Sequence, residues 1–187
     1  SAEEEEEEDV VSSPTTRAER QPLRRRRVVE GTRLVVCAAL VDKIPNLAGL
    51  ARTAEVFGCE AVVVPDATVV ANPAFEAVSV TAEKWIRLEQ CPPADLLPWL
   101  RRMRAAGYAI VALEQASDSV GLGHDVVLPS PAVLLLGHEK EGLHPDYLAL
   151  TDLCLEIPQL GVVRSLNVHV AGALTIWEFA RQQVSSR

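Results

Sequence analysis

The sequence predicts an α/β domain built on an open, mostly parallel sheet flanked by helices. Three observations carry that prediction. Short apolar runs, rich in β-branched residues or leucine, recur between residues 34 and 157. Amphipathic stretches with helical spacing separate them, and strands alternating with helices favour a parallel sheet buried on both faces. The length of 187 residues and the 48% hydrophobic content suit one domain with a substantial core.

The elements follow in order. Residues 1–30 hold nine acids and six arginines in blocks, "SAEEEEEED" and "RRRR" around a Ser/Thr/Pro spacer. Like-charge blocks repel and bury nothing, so this stretch reads as a disordered leader or linker, ahead of a domain spanning 31–187. Arg24 to Arg27 would also suit an RNA contact or an import signal, but a solvated linker is the simpler reading. Strands are expected at "LVVCAAL" (34–40), "AVVV" (61–64), "YAIVAL" (108–113), "AVLLLG" (132–137) and "LCLEI" (153–157). Helices are expected over 46–57, where Leu47, Leu50, Ala51, Ala54 and Phe57 share a face, and over 94–106, with Leu96, Leu97, Leu100 and Met103. Pro98 falls in the first turn of the second helix and Gly107 stops it. Val168 to Phe179 is nearly all apolar, a helix that should be buried, in part against a second copy of the chain.

Composition excludes several classes. No apolar stretch reaches the roughly 18 residues of a spanning helix, and no secretory signal opens the chain. An intracellular location, cytoplasmic or nuclear, is the default. Cys37, Cys59, Cys91 and Cys154 lie far apart, and the four histidines lack ligand spacing, so no metal site or disulfide framework is expected. Outside the first thirty residues, 17 acids face 12 lysines and arginines, net −5. That balance is poor for a domain holding nucleic acid alone.

In such sheets chemistry collects in the loops beyond the carboxyl ends of the strands. Three polar motifs occupy those loops. In "DKIPNLAGLARTAEVFG", Asn46 is placed to cap a helix carrying Arg52 and Glu55 among small residues; a cap plus a surface arginine accounts for these residues alone. In "LLLGHEKEGL", Gly137, Glu139 and Gly142 follow the most apolar strand, and glycines there let backbone approach a ligand. An ordinary glycine turn accounts for the same pattern. In "IPQLGVVRSLNVHVAGALTIWEFA", Pro158 and Gly161 fix a loop and Ser165 and Asn167 stand where a helix begins. A dinucleotide fingerprint is absent between the first strand and helix, which disfavours a nicotinamide-dependent oxidoreductase. "GLGH" (121–124) reads as a turn.

Taken together, N-x-x-x-x-x-R (Asn46, Arg52), L-x-G-x-E-x-x-G-L (Leu135 to Leu143) and I-P-x-x-G-x-x-x-S-L-N-V (Ile157 to Val168) resemble the three motifs of the TrmH group of the SPOUT superfamily. These are ribose 2′-O-methyltransferases of tRNA and rRNA, and the resemblance covers roughly residues 33–184. Within the group, the first and third motifs are most similar to the C-terminal domain of the large eukaryotic TAR RNA-binding-protein-like enzymes, which methylate guanosine 18 of tRNA. The resemblance implies a C-terminal trefoil knot, S-adenosylmethionine as cofactor with S-adenosylhomocysteine as product, tRNA as partner, and a homodimer formed through the C-terminal helix that completes the site. It also implies an upstream helical-repeat region absent from this chain.

Mapped onto this sequence, the resemblance places the adenosyl pocket around Leu113, Glu114, Gly137, Ile157 and Leu166, using main chain and apolar walls. Asn46, Arg52, Glu139, Ser165 and Asn167 form the catalytic set, with Ser165 and Asn167 doubling as helix starters. The family gives the motif arginine a part in deprotonating the ribose hydroxyl. Because a guanidinium is a poor base, the expected role of Arg52 is electrostatic: holding the target phosphate and stabilising developing alkoxide charge. A catalytically silent RNA-binding or scaffold domain is the alternative.

Overall fold

The computed structural model describes residues 32–123 and 125–185. The charged leader expected over 1–30 lies outside them. Seven parallel strands form one sheet: β1 (Thr32–Cys37), β2 (Cys59–Val64), β3 (Arg87–Gln90), β4 (Ala109–Leu113), β5 (Val120–Gly121), β6 (Ala132–Leu136) and β7 (Leu153–Glu156). Their order is β3-β2-β1-β6-β4-β7-β5. The chain steps outward from β1 to β3, jumps back to lay down β4, and later inserts β6 into the gap between β1 and β4. This reversal of direction places the carboxyl ends of β6, β4 and β7 side by side.

The sheet is buried on both faces because β4 and β6 carry apolar residues at every position, and β1 and β2 do so after their first two. One parity (Leu34, Val36, Val62, Val64, Leu134, Leu136) packs under α1 (Ile44–Val56) and α5 (Val168–Ser185). The other (Val35, Cys37, Ala61, Val63, Val133, Leu135) packs under α3 (Leu96–Ala105) through Leu96, Trp99 and Leu100. Two short helices complete the set, α2 (Pro73–Ser79) and α4 (Pro145–Leu148). Cys37, Cys91 and Cys154 are buried free thiols, as expected of small apolar fillers, and burial pushes the Cys37 thiol up to about 12.

The five expected strands are present, with no end shifted by more than three residues. Two strands had no sequence signal. β3 reads Arg-Leu-Glu-Gln at a sheet edge, where only one neighbour constrains it, and β5 is two residues long. Of "GLGH", Gly121 lies in β5, Leu122 and Gly123 form a bend, and His124 is outside the described residues. The helix expected over 46–57 begins earlier, because Pro45 supplies a first-turn residue with no N–H to satisfy. Among the described residues no helix is long and apolar enough to cross a membrane.

Candidate functional site

The loops that follow β4, β6 and β7 enclose an open cleft of about 650 Å³. Leu113, Glu114, Gly137, Ile157 and Leu166, the five residues assigned to a cofactor pocket by resemblance, all line it. So do Glu139, Ser165 and Asn167. Asn46 stands behind this lining and Arg52 is outside it.

The loop after β6 is held by its own backbone. His138 and Gly142 exchange N–H···O=C hydrogen bonds of 3.0 and 2.9 Å, closing a tight turn that lifts Glu139 toward α1. Gly142 sits at φ +69°, and a Cβ there would lie 2.4 Å from Glu114 Oε2. The main chain of Leu143 donates to that same Oε2 at 2.9 Å, and Gln115 N–H donates to Oε1 at 3.0 Å. The Glu114 side chain therefore fastens the end of β4 to the turn. Its carboxylate role was not legible in the sequence, which pointed to main chain and apolar walls.

Asn46 does not cap its helix. Lys43 occupies the cap position without a side-chain hydrogen bond, and Asn46 lies in the first turn, 8% exposed. The Asn46 carboxamide instead donates through Nδ2 to Glu139 Oε1 and accepts at Oδ1 from Asn167 Nδ2 at 3.1 Å. Glu139 is also paired with Lys43, at 3.2 Å from Nζ to Oε2. The result is a chain, Lys43–Glu139–Asn46–Asn167, that ties three separate loops together. Lys43 was missed because a lysine before Ile-Pro reads as a surface residue.

Asn167 caps α5, as expected. Its Oδ1 accepts from the N–H groups of His169 (2.9 Å) and Val170 (3.3 Å). One Nδ2 hydrogen is used on Asn46, which leaves a second for a ligand. Ser165 lies two residues before this cap, exposed in an irregular stretch of the cleft wall, and does not start the helix. Arg52 is exposed on α1 and has no hydrogen-bond or ion-pair partner among the described residues. His169, also unforeseen, is half-buried with its Nε2 at 3.0 Å from Thr53 Oγ1, and burial holds its imidazole below the usual range.

Chemically, the cleft offers main-chain groups and an apolar wall beside mixed charges: Glu114, Glu139, Glu141 and Glu156 against Lys43, Lys140 and Arg164. Its volume is that of a nucleotide-sized ligand site. Among the described residues no cluster of three or more His, Cys, Asp or Glu is placed to hold a metal ion.

Residues 33–177 match the family model described as the SpoU rRNA Methylase family. The chain is 44% identical over 153 residues to a tRNA (guanosine(18)-2'-O)-methyltransferase of Mus musculus, an alignment covering 82% of this chain and 10% of that protein. It is 34% identical over 177 residues to the tRNA (guanosine(18)-2'-O)-methyltransferase of Thermus thermophilus, covering 90% of this chain and 87% of that one. The crystal structure of the SpoU methyltransferase AviRb from Streptomyces viridochromogenes, in complex with the cofactor AdoMet, superposes with a TM-score of 0.67 at 25% identity, over 82% of this chain and 58% of AviRb. The chain thus spans about a tenth of the length of its mouse relative.

Proposed function

The chain belongs to the SpoU rRNA Methylase family, and on that premise we propose that it transfers a methyl group from S-adenosylmethionine to a ribose 2′-oxygen of tRNA, at guanosine 18. The observation that carries the reading is the convergence of the loops after β4, β6 and β7 on one cleft whose edge is the Glu139–Asn46–Asn167 chain. The Mus musculus relative's activity supplies the nucleotide.

The residues present fit the cofactor. Four carboxylates line the cleft, a favourable surround for a ligand bearing a sulfonium and an ammonium group, and main chain exposed at Gly137 and Ile157 suits an adenine edge. Leu113 and Leu166 supply apolar walls. When bound, S-adenosylmethionine brings the electrophilic methyl group. The chain's own residues orient and neutralise. Asn167, held by α5 and Asn46, presents its second amide hydrogen to the cleft. Glu139, fixed by Lys43 and Asn46, and Ser165, on the cleft wall, complete the polar set around the reacting ribose. Arg52 holds the target phosphate and stabilises negative charge developing on the 2′-oxygen, while the proton leaves through phosphate or water.

Three further parts of the reading follow. A homodimer completes the site, because Arg52 is outside the cleft of its own protomer while α5 exposes Val170, Leu174, Trp177 and Val184 on one stripe. A trefoil knot forms where the segment after β7 returns to dock α5 on α1, beside the inserted strand β6. Most tRNA affinity lies outside this chain, in the upstream region, since residues 31–187 are net acidic.

Calorimetric titration with S-adenosylmethionine tests the reading, with Asn167→Ala as the comparison. Saturable binding that the substitution weakens is expected. A folded dimer that binds no S-adenosylmethionine would instead make this a silent scaffold domain.

A further inference from the structure

Gly49 lies in the interior of α1, where glycine is less favourable than alanine. The reason is His169. A Cβ on Gly49 would lie 2.4 Å from His169 Nδ1, 2.5 Å from Cε1 and 2.8 Å from Cγ. The imidazole is therefore laid flat against the backbone of α1. One turn further on, its Nε2 shares a 3.0 Å hydrogen bond with Thr53 Oγ1. The backbone N–H of the same residue donates to Asn167 Oδ1 at 2.9 Å.

These contacts have one geometry. Asn46, Gly49 and Thr53 recur at intervals of three and four, so they share a face of α1. Asn46 meets Asn167, Gly49 meets the ring and Thr53 bonds its tip. Were the ring only core filling, alanine at 49 opposite a smaller residue at 169 would occupy the same space without a glycine in the helix. The half-buried position also gives His169 less apolar burial than its neighbours Ile176 and Phe179 obtain. Its size and its polar tip are what the arrangement uses.

We propose that His169 is a positioning residue: its ring is the spacer between α1 and the first turn of α5 that holds Asn46 and Asn167 in register at the cleft edge. Without it the helices are free to close on Gly49 or slide, and the 3.1 Å Asn167–Asn46 hydrogen bond loses the support that sets its length. The inference rests on the reading of the cleft as the S-adenosylmethionine site.

A double-mutant cycle read by S-adenosylmethionine affinity tests it, at a temperature well below each variant's melting point. His169→Ser should weaken binding about tenfold, a typical coupling for residues in one hydrogen-bonded network. His169→Gln, which keeps a polar tip of comparable reach, should recover most of that loss. In an Asn46→Ala background, where the register no longer matters, His169→Ser should change affinity by less than about twofold. Gly49→Ala should weaken binding in the unmodified chain and be tolerated beside His169→Ser, because the new methyl group fills the vacated space. Equal losses from His169→Ser in both backgrounds would overturn the proposal, as would unchanged affinity in a folded His169→Ser protein, or a His169→Gln protein that binds no better than His169→Ser. Failure of the unmodified chain to bind S-adenosylmethionine is a different result, and it removes the methyltransferase reading itself.

Discussion

At the scale of single residues, Asn167 does two jobs with one carboxamide. Its oxygen satisfies the free N–H groups at the start of α5, and its nitrogen reaches Asn46. The two jobs separate on substitution. Asn167→Ala removes both, and loss of the cap alone should cost about 1 kcal/mol of stability. Asn167→Asp keeps an acceptor at the helix N-terminus, where a negative charge is also favoured, but gives up the N–H donors and sets a carboxylate against Asn46 Oδ1. We expect Asn167→Asp to unfold in urea at nearly the unmodified midpoint while losing most of its S-adenosylmethionine affinity. Equal loss of stability in the two variants would show that the cap is not what Asn167 contributes to the fold. The cap was legible in the sequence because Asn is a strong cap former and stood at a loop-to-helix junction; the contact with Asn46 was not. For Asn46 the same rule misled, since Pro45 moves the helix start upstream and frees the carboxamide for tertiary contacts. Single-residue propensity cannot see a partner 93 or 121 positions away.

At the scale of elements, the central strands were legible because burial on both faces demands continuous apolar runs. The edge was not. β3 and β5 are held by one neighbour each, so little in their residues had to be strand-like. The turn after β6 lies between these cases: its glycines were visible, but the need for Gly142 arises from Glu114, just past β4, and the need for Gly137 from the Gly142 backbone. Gly142→Ala should be destabilising on two counts, a left-handed backbone costing about 1–2 kcal/mol for a residue with a Cβ and a contact with Glu114 Oε2. Gly161→Ala is the matching control, since a Cβ there meets nothing within 4 Å. Urea midpoints should fall for Gly142→Ala and stay put for Gly161→Ala. A Gly142→Ala protein as stable as the control would mean that the turn relaxes and that Glu114 does not pin it.

At the scale of the whole molecule, the proposed function takes Arg52 from a second copy of the chain, because Arg52 lies outside the cleft of its own. Arg52 faces solvent, and the outer stripe of α5 exposes Leu174 at 44%, Trp177 at 51% and Val184 at 73%. The spacing of Val170, Leu174, Trp177 and Val184 is that of a helix–helix seam. Trp177 also meets Phe57, the residue that caps the end of α1, in a tilted contact with ring centroids 5.5 Å apart, so the seam runs beside the helix that carries Arg52. A second copy packed on that seam would bring its own Arg52 toward this cleft. Leu174→Glu should give a monomer by sedimentation and abolish tRNA methylation while leaving the fold intact. Complementation decides which protomer supplies the arginine. Arg52→Ala and Asn167→Ala should each be inactive, and if Arg52 acts across the dimer, subunit exchange between them creates mixed dimers with one intact site. Half of the dimers would be mixed and half of their sites intact, so activity should return to about a quarter of the unmodified level. If Arg52 served its own protomer, every site in the mixture would lack one residue or the other, and activity would stay at the level of the separate variants.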